Sequence, residues 1–154
     1  MSINFYTVDI NYLNELKKIE KKVPNTEYAT NKKFFCGVVL TINGYNYFAP
    51  ISSFKKKQQT NIAIYNNNDE IISTIRFCFM IPIKKEHLRI KDISKITDTK
   101  YQKLLSRELQ FCNQNEDIIK KAAHRVYNYG TNPNHKQYKN CCDFKKLEEY
   151  LNNK

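Results

Sequence analysis

The pair Asn43-Gly44 lies between two apolar runs, Phe35 to Leu40 and Tyr45 to Pro50. Both residues tolerate positive φ, and Asn-Gly between apolar runs is the strongest short-range signature of a two-residue hairpin turn. A hairpin of this kind is a rigid support. Its second strand runs into Ser52, Ser53 and a block of lysines, Lys55 to Lys57. One end of the support therefore carries hydroxyls and cations, the groups that grip and polarise a phosphate.

The rest of the chain reads as alternating short elements. Phe5 to Val8 reads as a strand, and Asp9 can cap a helix through Lys22, with Ile10, Leu13, Leu16 and Ile19 on one stripe. Val23-Pro24-Asn25 ends it. Thr26 to Lys32 is a polar loop containing Tyr28, and Lys33 stands at the mouth of the hairpin's first strand. Lys55 to Thr60 is polar and is expected to be mobile. Ile62 to Tyr65 and Ile71 to Phe77 read as strands around the turn at Asn66 to Asp69. The second run continues into Phe79 to Ile83, where Pro82 suggests a strand end or an edge. Thr99 to Tyr127 carries a long helical pattern, Leu104, Leu105, Leu109, Cys112, Ile118, Ile119, Ala122, Ala123 and Val126, with a break expected at Asn113 to Glu116. Gly130 to Asn140 reads as loop. Asp143 can cap a last helix with Phe144, Leu147 and Leu151 inward. This order is α+β, an antiparallel sheet with helices segregated around it.

At 154 residues the chain is expected to form one domain. Its net charge of +11 and pI near 9.4 are large for that size. A Lys-rich surface reflecting a biased genome would explain the charge without function. A nucleic-acid partner explains it better in so small a domain. No apolar run is long enough to span a membrane, and no helix sets lysines against a wide apolar face. The first nine residues lack the pattern of a secretory signal, so the expected location is the cytoplasm. An odd number of cysteines (Cys36, Cys78, Cys112, Cys141 and Cys142) argues against a disulfide framework. No Cys-x-x-Cys pair supports a zinc site, although His135 and Cys141 are of ligand type. Cys36 and Cys78 read as small core residues.

Ser53 and Lys55 are two apart, so a strand continuing through them would put both side chains on one face. A hydroxyl beside an ammonium can bind a phosphate oxygen. The same pair can assist attack by a neighbouring 2′-hydroxyl on a phosphodiester. That reaction needs a proton acceptor, cations on the non-bridging oxygens and a donor to the leaving 5′-oxygen, and it needs no metal or other cofactor. Lys33 could supply a second positive charge that tunes Lys55. A solvated basic loop is the alternative reading of the same spacing. Tyr28 could stack on an unpaired base or pack its ring on the core edge. His124 could face a groove and serve acid–base chemistry, or lie on a helix surface; His135 could touch RNA or nothing. The chain has no Gly-x-Ser-x-Gly elbow, and Ser53-x-Lys55 is not the Ser-x-x-Lys motif of serine acylases. Its three glycines exclude a glycine-rich phosphate loop. No helix-turn-helix or zinc-finger pattern points to DNA.

Several segments together resemble one family. They are Phe5-Tyr6-Thr7, Lys22-Val23-Pro24, Lys33-x-Phe35-x-Gly37-Val38-Val39-Leu40, Tyr47-x-Ala49-Pro50-Ile51-Ser52-Ser53-x-Lys55, Phe79-Met80-Ile81-Pro82, Leu104-Leu105-x-x-Glu108-Leu109-x-Phe111 and Cys142-Asp143-Phe144. In this order they resemble the ToxN/AbiQ family, the protein component of type III toxin–antitoxin systems. The Ala-Pro-x-Ser-Ser-x-Lys element is the most specific of them. The resemblance implies one endoribonuclease toxin domain over residues 1–154, with a compact, twisted antiparallel sheet and flanking helices, similar to Kid/MazF-type toxins. It implies metal-independent RNA cleavage to a 2′,3′-cyclic phosphate and a 5′-hydroxyl, and a role in phage defence. The implied partners are cellular RNA and an antitoxin RNA pseudoknot, cut by the toxin from a repeated transcript, in a hetero-oligomeric protein–RNA assembly, with neither DNA nor membrane as partner. Family active-site positions fall on Lys33, Ser52, Ser53 and Lys55, with a tyrosine near Tyr28; Lys32, Lys56 and Lys57 are expected RNA contacts. Ser52 stands where many members have threonine, and Phe54 replaces a common proline. The competing reading is a non-catalytic basic RNA-binding module.

Overall fold

A computed structural model describes residues 3–25 and 34–154. Strand β1 (Asn4–Val8) leads into helix α1 (Ile10–Ile19), and β2 (Phe35–Ile42) and β3 (Tyr45–Ser52) form the hairpin. They are followed by β4 (Asn61–Tyr65), β5 (Ile71–Arg76), β6 (Ile81–Pro82) and β7 (Leu88–Ile90). Helices α2 (Thr99–Gln114), α3 (Glu116–Gly130) and α4 (Phe144–Asn152) close the chain. The described residues form an antiparallel sheet in the order β4-β5-β3-β2-β1-β7, with β6 also paired to β3. The α+β expectation is met.

Local codes set most boundaries. Asn43 and Gly44 have φ of 54° and 82°, the left-handed turn that the sequence signature requires. The Asp9, Asp98 and Asp143 carboxylates accept from Asn11, Tyr101 and Lys146 N–H groups and start α1, α2 and α4. Helix α1 ends three residues short of Lys22. There the Lys17 ammonium donates to the Lys21 and Val23 carbonyls and satisfies the exit. Asn115 separates α2 from α3, within the expected break. A methyl group on Gly37 would lie 2.3 Å from the Phe48 ring, so the hairpin's irregular register between Cys36 and Leu40 is built around a residue with no side chain.

The core is aromatic. Tyr47, Phe5, Phe35, Phe77 and Phe144 are among its largest fully buried side chains. Glu148 of α4 is buried among them and holds the hairpin. Its carboxylate accepts from Tyr47 Oη at 2.5 Å, Tyr127 Oη at 2.7 Å and Asn43 Nδ2 at 3.1 Å. Burial first, then the adjacent carboxylate, pushes both phenols up, so they remain donors.

Two expectations change. Residues 77–79 leave the sheet in a 3₁₀ turn, and only Ile81–Pro82 returns to pair with β3, with Pro82 buried at the strand end as a proline there suggests. The Phe77 N–H still donates to the Thr60 carbonyl at 3.1 Å, one step beyond the Asn61–Arg76 pair, and the Met80 N–H then donates to the Phe77 carbonyl at 3.1 Å and closes the turn. Leu104 and Ile118, counted in the helical apolar pattern, are 38% and 58% exposed because α2 and α3 bury the neighbouring stripe of Leu105, Cys112, Ile119, Ala123 and Val126.

Glu108 is a second buried acid. Its Oε2 accepts from Ser73 Oγ at 2.5 Å, while Oε1 has no partner among the described residues. Burial pushes this carboxyl up from its ordinary 4.5 to about 7, against the Ser73 hydrogen bond, which lowers it. The native state therefore holds a proton that the unfolded chain releases between these values. The associated stability, about 3 kcal/mol, is full below the ordinary value and lost as pH rises through about 7. Glu108→Gln keeps the site neutral, so it should gain on the wild type by about this amount between about pH 4 and about pH 8 in denaturant unfolding. Parallel stability profiles for the two proteins would remove Glu108 as the titrating group.

Candidate active site

Strand β3 lies inside the sheet, paired with β2 on one side and with β5 and β6 on the other. It stops at Ser52, so the strand does not continue through Ser53 and Lys55. A turn replaces it. Ser52 Oγ accepts from the Phe54 N–H at 3.1 Å, and Thr74 Oγ1 donates to the Phe54 carbonyl at 2.7 Å. Thr74 is fully buried and stands opposite Ser52 in the β3–β5 register. Ser52 thus shapes the turn as an acceptor, as short hydroxyl side chains do. The Ser53 hydroxyl has no hydrogen bond among the described residues and is exposed. Lys55, Lys56 and Lys57 are exposed, and the Lys57 ammonium lies 5.8 Å from the Tyr65 ring centroid.

The loop after the turn is more fastened than a polar run suggests. Asn61, only 8% exposed, accepts from the Gln58 N–H and donates to the Lys56 carbonyl, both at 2.9 Å. Gln137 donates to Gln59 Oε1 at 2.9 Å and joins this loop to residues 131–140. In that second loop His135 stacks on Tyr129 at 4.1 Å between ring centroids, and its Nδ1 accepts from the Gln137 N–H. His124 is exposed on α3. Tyr28, Lys32 and Lys33 lie outside the described residues.

Arg76, at the end of β5, escaped the sequence reading. Its guanidinium carbon lies 4.4 Å from the Phe54 ring centroid and 4.8 Å from that of Phe79. The available clue was a lone arginine ending a strand of otherwise uncharged residues. Thr74 was missed because its partner Phe54 is set by the β3–β5 pairing, not by local spacing. Among the described residues no group of three His, Cys, Asp or Glu side chains could hold a metal ion. All five cysteines are free and buried, including Cys36 and Cys78. No described helix is long and apolar enough to cross a membrane.

This geometry can be set beside known proteins. The family model described as toxin ToxN of type III toxin–antitoxin systems matches residues 4–152. The chain belongs to this family. It is 31% identical to endoribonuclease ToxN of Bacillus thuringiensis subsp. kurstaki, over 94% of this chain and 80% of that one. Among solved structures, one concerned with selective toxin inhibition by a non-coding RNA pseudoknot in type III systems superposes with a TM-score of 0.90 at 29% identity, covering 99% of this chain and 98% of the other. AbiQ, a lactococcal anti-phage endoribonuclease of a type III system, superposes with a TM-score of 0.86 at 25% identity, covering 99% and 97%. The Ser52–Lys55 turn lies at the end of β3 within the matched residues, and Thr74 holds its Phe54 carbonyl.

Asn61 is expected to order the lysine loop. Asn61→Ala should raise hydrogen exchange at the Gln58 amide by about tenfold or more and cost about 1–2 kcal/mol, the value of a buried polar staple. Unchanged protection at Gln58 would show that the loop is held elsewhere.

Proposed function

We propose that this chain is the endoribonuclease toxin of a type III toxin–antitoxin system, a single catalytic domain over residues 1–154 acting in the cytoplasm. It cuts RNA by attack of a 2′-hydroxyl on the adjacent phosphodiester. The observation that carries the chemistry is the Ser52–Lys55 turn: a fixed backbone presenting a disengaged Ser53 hydroxyl and an exposed Lys55 ammonium. In this reading the 2′-oxygen loses its proton and bonds to phosphorus, the bond to the 5′-oxygen breaks, and that oxygen takes up a proton. The products are a 2′,3′-cyclic phosphate and a 5′-hydroxyl.

Lys33 and Lys55 are assigned to flank the scissile phosphate and neutralise its developing charge. Ser53 donates to a phosphate oxygen or to the attacking group. Ser52 keeps the turn in shape and retains its own hydroxyl proton for donation. Tyr28, Lys32, Lys56 and Lys57 are assigned to the flanking RNA. The reaction is proposed to need no cofactor. Its substrates are cellular RNAs and the toxin's own repeated antitoxin transcript. The folded antitoxin pseudoknot inhibits the toxin in a protein–RNA assembly, and the system serves in phage defence. The names of the relatives support this reading: ToxN and AbiQ are endoribonucleases, and AbiQ acts against phage.

Two measurements test it. End-labelled single-stranded RNA should be cut in excess EDTA at discrete sites bearing cyclic phosphates, and 2′-deoxy substitution should abolish each cut. Ser53→Ala should lower the rate by about 30- to 1,000-fold, or about 2–4 kcal/mol of lost transition-state stabilisation. Binding without any cutting, by folded protein free of RNA, would leave a non-catalytic RNA-binding module. Separately, replacing Lys56 and Lys57 together with glutamine should reduce the slope of log affinity against log salt by roughly 1.4, at ~0.7 per phosphate contact on a single strand. An unchanged slope would place the RNA elsewhere.

A further inference from the structure

Arg76 is a cation in an unusual setting. It is half-buried, with the rings of Phe54 and Phe79 packed on its guanidinium at 4.4 and 4.8 Å. Its Nη2 donates to Gln58 Oε1, a neutral acceptor, at 3.3 Å. Its Nε is buried without a partner. No carboxylate pairs with it among the described residues, and residues 52 to 60, of which Phe54 and Gln58 touch it, contain no acid. Thr74 and Arg76 are two apart on β5 and so share a face of the sheet. Thr74 holds the Phe54 carbonyl from that face, and Arg76 lies against the Phe54 ring. Phe54 separates Ser53 from Lys55. The guanidinium is therefore fixed under the same turn that presents the hydroxyl and the ammonium.

A purely structural stack would need no unbalanced charge there; an aliphatic side chain would fill the space between two rings. A guanidinium packed against rings still presents its N–H groups at its rim, in the planar fork that matches phosphate oxygens. We propose that Arg76 is a further phosphate-binding residue of this site, gripping a backbone phosphate of the RNA strand that crosses the Ser53–Lys55 turn. The RNA supplies the counter-charge that the fold withholds. Stacking on Phe54 and Phe79 fixes the guanidinium before RNA arrives, so little side-chain freedom is lost on binding.

This inference rests on the proposed RNA site, but it can be tested apart from cleavage. The probe is a short mixed-sequence RNA oligonucleotide, 2′-O-methylated throughout, which binds but offers no nucleophile. Its affinity is measured across a salt series for the full chain, for Arg76→Met, which keeps the stem against both rings, and for Arg76→Lys, which keeps the charge without the fork. Arg76→Met should bind about tenfold or more weakly, with the slope of log affinity against log salt reduced by ~0.7, one phosphate contact. Arg76→Lys should keep the slope while losing part of the affinity. Wild-type affinity and slope in Arg76→Met would overturn the proposal. So would slower cleavage of ordinary RNA with the slope unchanged, which would mean that Arg76 only braces the turn. Should Arg76→Met fail to fold, Arg76→Gln is read by the same two criteria. If the wild type binds with an Arg76-dependent slope and never cuts, the endoribonuclease reading fails and this one stands. Cutting with Arg76-independent binding gives the reverse.

Discussion

Glu148 sets the position of everything at the far end of the hairpin. A carboxylate buried without partners would be strongly unfavourable, so this one is tolerated only while Tyr47, Tyr127 and Asn43 all donate to it. Those donors come from β3, from α3 and from the hairpin turn. Tyr45 Oη adds a bond to the Glu148 carbonyl at 3.1 Å. The hairpin is thereby tied to α3 and α4 at its turn, and the other end of β3 leaves the sheet at Ser52. The candidate turn is positioned by a strand anchored at its opposite end and paired on both sides along its length.

That arrangement explains why the candidate site can sit on a turn without being loose. A turn held only by its own backbone would sample several conformations and present Ser53 at variable angles. Here Thr74 holds the Phe54 carbonyl, Ser52 holds the Phe54 N–H, and Asn61 holds the chain four residues further on, from Lys56 to Gln58. Each clamp comes from the sheet or its immediate edge. Precision is inherited from β-structure, while the Ser53 hydroxyl and the Lys55 ammonium stay in solvent.

What was legible in the sequence was what local chemistry encodes. Asn43-Gly44 needs positive φ, and aspartates at Asp9 and Asp143 satisfy helix N–H groups within three residues; both follow from neighbours in the chain. Ser53 and Lys55 stood out because their chemistry is readable without a fold. What was hidden depends on partners far along the chain. Asn43 and Glu148 are 105 residues apart, and Ser73 and Glu108 are 35 apart. Arg76 was hidden for the same reason: nothing near it in sequence shows that Phe54 will fold back onto it. The run after Phe77 departs from the strand its residues suggest because apolar character alone cannot separate a strand from a 3₁₀ turn closed by Met80 N–H on the Phe77 carbonyl.

The placement of acids, more than the number of lysines, gives the site its field. With 15 acidic against 26 basic residues, the chain has enough carboxylate to neutralise any one patch. Many of those carboxylates are engaged elsewhere. Asp9, Asp92, Asp98 and Asp143 cap helical turns, Glu108 and Glu148 are buried with hydroxyl donors, Glu15 is held by Tyr150 and Lys154, and Glu116 pairs with Lys120. None stands between Ser52 and Thr60. No salt bridge among the described residues engages Lys55 to Lys57 or Arg76. They are left as cations along the turn, suited to draw in a polyanion before any specific contact forms. The carboxylates that cap the helices and hold the hairpin are thus committed to other partners and pair with none of the turn's cations.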